Sequence, residues 1–300
     1  MKYIVVGNGN IGKKRRQALK DKCAAVVDPF EKDADYKSCK DVPPDTFDAA
    51  VLAVPNAVKM EILEYLLGKK KHVLLEKPLL FKNESMAKKL HAQAIANNVV
   101  WYTSYNHRFE PSVMKLKQLL EEKTLGEFYF ARFVYGNGTV QNIANTWRDV
   151  DCGVLEDLGC HLLDFAAFFF AGNPLQYRIT SGIHCEAKTW DSCSFVSRDG
   201  RLHFLCSTLM WKNTFEIDIF GSKGSLHVAG LNKWGGSRVI RRERIFPSGV
   251  PREETFSFSG PDETWKRDIE FFEEMTALGR SSYHNDLYIS ESIRSLASNP

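Results

Sequence analysis

The chain opens on the apolar run KYIVV (2–6), and GNGNIG (7–12) follows at once. Gly7, Gly9 and Gly12 stand in the G-x-G-x-x-G spacing. KKRRQALKDK then reads as a helix, and CAAVVD (23–28) as a second strand ending in Asp28, 21 residues after the first glycine. Strand, glycine turn, helix, strand and acid in that order restrict the fold sharply. Each part has a physical task in a dinucleotide site. Gly7 permits a tight turn, Gly9 lets the backbone approach a pyrophosphate, and Gly12 lets helix and strand pack closely. The pyrophosphate then meets outward-pointing amides at the helix N-terminus. A glycine-rich turn that binds nothing is the plainer alternative.

Asp28 bears on the choice of cofactor. A carboxylate there accepts hydrogen bonds from adenosine ribose hydroxyls and repels a 2′-phosphate, favouring NAD over NADP. Lys32 and Lys37 follow shortly and pull the other way.

The alternation continues. DAAVLAV (48–54) is a buried-type strand stopped by Pro55-Asn56, and AVKMEILEYLLGKK is a helix. HVLLE (72–76) is a strand running into Lys77-Pro78. NESMAKKLHAQAIANN (83–98) is a helix with Asn83 as its cap, and VVWYTSY (99–105) is the next strand. Strands alternating with helices predict a parallel, doubly wound Rossmann sheet. Residues 29–47 are polar, hold two adjacent prolines and show no helical period, so a loop is expected there.

From GEFYFARFVYG (126–136) the pattern changes. Alternating strands succeed one another through ETFSFS, punctuated by Asp199-Gly200 and Ser222-Lys223-Gly224. One helix, carrying EDLGCHLLDFAAFFF, interrupts them and stops at Gly172-Asn173-Pro174, and two helices close the chain. The expectation is an α/β dinucleotide-binding domain over 1–120. An α+β domain with a large, mostly antiparallel open sheet follows over 121–300.

Composition narrows the partners. Forty basic and 37 acidic residues give a net charge of +3, with no footprint of a nucleic-acid binder. The clusters KKRR, KKK and RRER are short and separate, as solvated faces are. The longest apolar run, FAAFFFA (165–171), falls far short of the ~20 residues that span a bilayer. Seven cysteines without C-x-x-C spacing suggest free thiols, no metal site and a reducing compartment. The N-terminus enters a strand directly, without a signal peptide, so a cytoplasmic location is expected.

Within EDLGCHLLDF (156–165), Asp157, His161 and Asp164 share one stripe if the segment is helical. An imidazole flanked by two carboxylates is costly in a core and useful in an active site. Asp164 reads equally as structure or substrate contact.

These signals together resemble the Gfo/Idh/MocA oxidoreductases, named for glucose-fructose oxidoreductase and inositol dehydrogenase. The resemblance covers nearly the whole chain. It rests on GNGNIG, on the Glu-Lys-Pro of HVLLEKP (72–78), on YNHRFEP (105–111) with LGEF (125–128), and on GVLEDLGCHLLD (153–164) as D-x-G-x-H-x-x-D. It implies that Lys77, Asp157 and His161 are catalytic and that Pro78 follows a cis bond. It also implies a homodimer or homotetramer associating through the large sheet. The chain departs from the family at three places. Cys152-Gly153 replaces a glycine pair, and Arg15 and Lys59 stand where histidines are common.

The candidate cofactor contacts are Gly7, Gly9, Asn10, Ile11, Gly12, Asp28, Pro55, Asn56, Glu76 and Lys77. Candidate substrate contacts are Lys77, Asn106, Arg108, Trp147, Arg148, Asp157 and His161. Oxidising a secondary alcohol needs a base for the hydroxyl proton, which suits His161, and a charge at the oxygen, which suits Lys77. Asp157 could orient the imidazole or bind substrate. The reading is an NAD(H)-dependent dehydrogenase for a sugar, cyclitol or sugar derivative. Residues 211–235 resemble members with surface-polysaccharide functions and lean toward a nucleotide sugar. Two rivals are a non-catalytic ligand sensor on this fold and a glycoside hydrolase assisted by tightly held NAD.

Overall fold

The computed structural model describes residues 1–146, 148–170 and 176–298. Trp147 and the helix stop expected at Gly172-Asn173-Pro174 lie outside them. Seven α-helices are present among these residues: α1 (Asn10–Leu19), α2 (Asn56–Gly68), α3 (Glu84–Ala96), α4 (Pro111–Glu121), α5 (Cys160–Phe169), α6 (Thr264–Ala277) and α7 (Tyr283–Ser298).

Strands β1 (Tyr3–Val6), β2 (Cys23–Val27), β3 (Ala49–Leu52), β4 (His72–Glu76) and β5 (Trp101–Ser104) pair in the order β2-β1-β3-β4-β5, all parallel. Both faces are covered, so β1, β3 and β5 are buried throughout and their sequences run apolar without alternation. Leu63, Leu66 and Leu67 of α2 and Leu90 of α3 pack on one face with Leu52 and Leu75. Ile269 and Phe272 of α6 pack on the other with Tyr3, Val5 and Leu74. The Asn83 side chain accepts the Met86 amide at 2.9 Å and starts α3 as expected. Of the expected loop 29–47, residues 29–43 run without a helix and touch the sheet through the Val27–Tyr36 bridge, whereas Pro44–Thr46 form a short 3-10 turn.

The second sheet has eight strands: β6 (Phe128–Gly136), β7 (Tyr177–Ile183), β8 (Ser192–Ser197), β9 (Leu202–Ser207), β10 (Thr214–Gly221), β11 (Gly224–Ala229), β12 (Ser237–Glu243) and β13 (Arg252–Phe258). Their order is β13-β12-β11-β10-β6-β9-β8-β7, and only β6 and β9 run parallel. Strand β10 alternates between half-buried and buried residues along its length, the period-2 signature of a sheet covered on one face. Helix α4 packs on β11–β13, and α5 packs on β6 and β9.

The chain divides into two compact units, Met1–Asn106 with Glu263–Glu291, and His107–Asp262 with Ser292–Pro300. A single cut at 120 does not describe this division. Helix α4 belongs with the eight-stranded sheet it packs on, and α6 belongs with the parallel sheet, where it touches α1, β4 and β5. Linear sequence carries no sign of such a return, because it is set by long-range packing. No helix among the described residues is long and apolar enough to cross a membrane.

Candidate active site

In the first unit the glycine turn is built as its spacing suggests. Gly7 has a φ of +93°, and its amide donates to the Val27 carbonyl at 2.8 Å. A Cβ on Gly12 would lie 1.8 Å from the Gly7 carbonyl oxygen, whereas a Cβ on Gly9 would meet open space. Only Gly9 therefore faces room for a ligand. Helix α1 begins at Asn10 with no side-chain cap and no acid in its first turn, so Asn10 and Ile11 leave an N-terminus suited to an anion. The Asp28 carboxylate accepts from the Asn8 amide at 2.8 Å, and from those of Phe30 and Glu31 at 2.9 and 3.0 Å. Partial burial alone would push its pKa up. These amides and Lys37 outweigh that and hold it below the ordinary carboxylate value. Three of its roughly four acceptor positions are thus used, leaving one on Oδ2 for a hydroxyl. The Lys37 ammonium donates to the Glu31 carbonyl. These residues fit a dinucleotide.

Pro55 precedes α2, and Asn56 opens it with its Oδ1 accepting from Lys59 at 2.7 Å. The Glu76 carboxylate, expected at the cofactor, accepts from Arg15 at 2.7 Å. Lys77 is half-buried at the end of β4, and the bond to Pro78 is cis, as the resemblance implied. Asn106 is buried, and its Nδ2 donates to the Thr264 hydroxyl at 2.9 Å.

In the second unit the approach to α5 is a π-helical turn, Leu155–Gly159, not a continuous α-helix. The wider turn changes the angular step between Asp157 and His161, while Asp164 follows His161 within α5. Such turns recur at functional sites. Asp157 is ion-paired with Arg148, and Asp164 is held by both the Nε and Nη2 atoms of Arg108, the Nε contact being 2.7 Å. Arg108 also lies over the Phe168 ring at 5.1 Å. Both expected substrate-binding arginines thus hold carboxylates, one on the π turn and one on α5. Of the Cys152-Gly153 pair, Gly153 is the position that needs glycine. Its φ is +53°, and a Cβ there would come within 2.7 Å of the Trp190 carbonyl oxygen.

His161 is buried against an aromatic set that the motifs did not announce. Its ring stacks on His107 with centroids 4.6 Å apart and meets Tyr135 edge-on at 5.6 Å. The Tyr135 hydroxyl lies 3.1 Å from His107 Nε2, and the Lys233 ammonium lies 3.3 Å from the same nitrogen. An ammonium can only donate, so in that contact Nε2 is the acceptor. Burial, then the charges of Asp157, Cys160 and Glu110, push the Tyr135 phenol well above its ordinary range, so it stays protonated. One signal pointed here: Tyr135 has the inward parity of β6, with Ala131 and Phe133.

A glycine-turn dinucleotide fold joined in sequence to an α+β unit with a buried histidine defines a class, and comparison with known proteins places the chain within it. Residues 1–105 match the domain described as oxidoreductase family, NAD-binding Rossmann fold, and residues 113–227 match the Gfo/Idh/MocA C-terminal domain. The chain belongs to the Gfo/Idh/MocA oxidoreductase family. Trans-1,2-dihydrobenzene-1,2-diol dehydrogenase of Xenopus laevis is 25% identical over 215 residues, 71% of this chain and 64% of that protein. The scyllo-inositol 2-dehydrogenase (NADP(+)) IolU of Bacillus subtilis (strain 168) is 30% identical over 202 residues, 63% and 59% of the two chains. The matched stretches thus span less than two thirds of these relatives. Levoglucosan dehydrogenase in complex with NADH superimposes with a TM-score of 0.83 at 17% identity, over 100% of this chain and 97% of that one. UDP-N-acetylglucosamine 3-dehydrogenase GnnA of Acidithiobacillus ferrooxidans gives 0.78 at 17% identity, with coverages of 100% and 97%. At such identities the superpositions show the fold.

Proposed function

We propose that the protein is an NAD(H)-dependent dehydrogenase acting on a secondary hydroxyl or carbonyl of a sugar, cyclitol or sugar derivative, nucleotide sugars included. The observation that carries this is the glycine turn with its ionised Asp28 in the same unit as Lys77, in a family of oxidoreductases. Gly7, Gly9, Gly12, Asn10 and Ile11 hold the pyrophosphate, and Asp28 accepts a ribose hydroxyl. NAD, when bound, supplies a hydride acceptor at its nicotinamide ring.

Lys77 donates to the substrate oxygen and keeps positive charge beside it as the carbonyl forms. His161 takes the hydroxyl proton on a ring nitrogen, and the His107 ring fixes its plane. Asp157, neutralised by Arg148, orients the turn ahead of His161. The names of the diol, inositol and levoglucosan dehydrogenases support hydroxyl chemistry. Asp28 supports NAD, and the Lys37 ammonium is engaged by the Glu31 carbonyl.

Self-association through the outer face of the eight-stranded sheet belongs to the same reading. Phe130 and Phe220 stack there at 4.5 Å with Phe130 exposed, and Phe130→Lys is expected to yield monomers by analytical ultracentrifugation.

The test is turnover of a panel of sugars, cyclitols and sugar nucleotides with NAD. Lys77→Met and His161→Ala are each expected to lower kcat by about 10²–10⁴-fold while NADH still binds. Full turnover in either variant would sink the assignment.

A further inference from the structure

Two family departures, Arg15 and Lys59, converge on one tripeptide. Lys59 is 2% exposed, and its ammonium donates to Asn56 Oδ1 at 2.7 Å, to the Glu76 carbonyl at 2.6 Å and to the Pro78 carbonyl at 2.7 Å. All three donors are spent, and two of them grip the backbone on either side of Lys77. Arg15 is fully buried. Its guanidinium donates to the Glu76 carboxylate at 2.7 Å, pairs with Asp268 at 2.7 Å and donates to the Ser104 hydroxyl. Ser104 in turn donates to Asp268 at 2.7 Å, and the guanidinium lies 4.7 Å from the centre of the Trp265 ring.

We propose that Arg15 and Lys59 are positioning residues: a clamp of two buried cations that holds Glu76-Lys77-Pro78 from its side-chain and its carbonyl sides, so that the Lys77 ammonium keeps one place. The reasoning is energetic. A buried cation is tolerated only where its charge is paired or its donors are satisfied, so each of these holds its partners against any movement that would break a contact. Arg15 rises from α1, the helix of the glycine turn, and Lys59 from α2, the helix after Pro55-Asn56. The clamp therefore ties Lys77 to both backbone segments read as holding the cofactor. Neither Arg15 nor Lys59 touches substrate in this proposal. A neutral residue at 59 would leave two carbonyls and an amide oxygen without their buried donor.

The inference rests on the reading of Lys77 as the substrate-oxygen ligand, but its test does not need turnover. The protein would be treated with acetic anhydride, and acetylation of Lys77 followed by mass spectrometry in the unaltered chain, Lys59→Met and Arg15→Lys. Exposed Lys89 serves as the internal reference. Labelling of Lys77 is expected to rise by about threefold or more in each folded variant as the segment loosens. A smaller rise in a folded variant overturns the clamp. Where the panel yields a substrate, kcat is expected to fall about tenfold with KM little changed, as misplacement without lost binding would produce.

Hydrogen exchange in the unaltered protein gives a reading that needs no variant. Residues 76–82 are expected to be protected, and exchange there as fast as in loop 29–34 also overturns the clamp. Lys77→Met with full turnover would defeat the catalytic assignment and leave the labelling result standing. Unchanged labelling would defeat the clamp and leave the assignment standing.

Discussion

The ring of His107 lies 4.6 Å from the ring of His161, with the two planes 28° apart. His107 thus forms one wall for the imidazole assigned as base. Its Nε2 is itself fixed by Tyr135 and Lys233. His107→Leu keeps apolar bulk but removes the stack and both polar links. An about tenfold fall in kcat is expected, with NADH affinity unchanged, since small misplacements of a catalytic group cost up to ~10²-fold. Steady-state kinetics with a parallel NADH titration checks it, and an unchanged kcat would make His107 mere packing.

Gly9 and Gly12 separate ligand space from fold space. Gly9→Ala meets nothing within 4 Å, so thermal stability should hold while NADH affinity falls. Gly12→Ala drives a methyl to within 1.8 Å of the Gly7 carbonyl oxygen, so both stability and NADH binding should be lost. Melting curves with and without NADH distinguish the pair.

Removing the Asp28 carboxylate should shift cofactor preference away from NADH. Asp28→Ala loses a charge-assisted hydrogen bond to ribose, about 1.5–3 kcal/mol, which is about tenfold or more in NADH affinity. NADPH should bind no worse than before. Paired NADH and NADPH titrations by protein-to-nicotinamide fluorescence transfer read this directly. Tighter NADPH binding by the unaltered protein would defeat the assignment of NAD.

Asp149 gives a pH dependence with a definite sign. Burial raises its pKa, but hydrogen bonds from the Asn145, Lys188 and Thr189 amides and the Thr189 hydroxyl outweigh burial and hold it down to about 2. A folded value below the unfolded one contributes stability that is present above the ordinary 3.8 and is lost as pH falls through about 2. Asp149→Asn should therefore lower stability at pH 7 by about 2 kcal/mol, and the gap should shrink toward pH 2. Urea unfolding at pH 7 and pH 3 measures it. A gap that does not narrow at pH 3 would remove the electrostatic account.

Much of this was legible in the residues because local rules governed it. The glycine turn, the buried parallel strands, the helix-free stretch after Asp28 and the alternation of the later strands each follow from short-range sterics or period. Three further features were not, besides the return of α6 to the first unit. The π turn at Leu155–Gly159 has no compositional mark that separates it from α-helix. The partners of Arg108 and Arg148, Asp164 on α5 and Asp157 on the turn, are set by tertiary packing, so surface charge and substrate contact could not be told from ion pairing. Arg15 and Lys59 were visible as oddities, but their common target appears only when β4 lies beside β3.

The return of the chain to its first unit sets an order of events at the ribosome. Trp101 donates through Nε1 to Asp286, 185 positions later, and Ser104 to Asp268, 164 positions later. At ordinary synthesis rates the parallel sheet waits about 10–40 s before Asp286 arrives. Until residues 268–272 arrive, the buried site of Arg15 lacks one of its two carboxylates, and the sheet lacks the apolar cover of Ile269 and Phe272. A nascent chain stalled at residue 262 is therefore a candidate for chaperone capture rather than a miniature cofactor-binding protein.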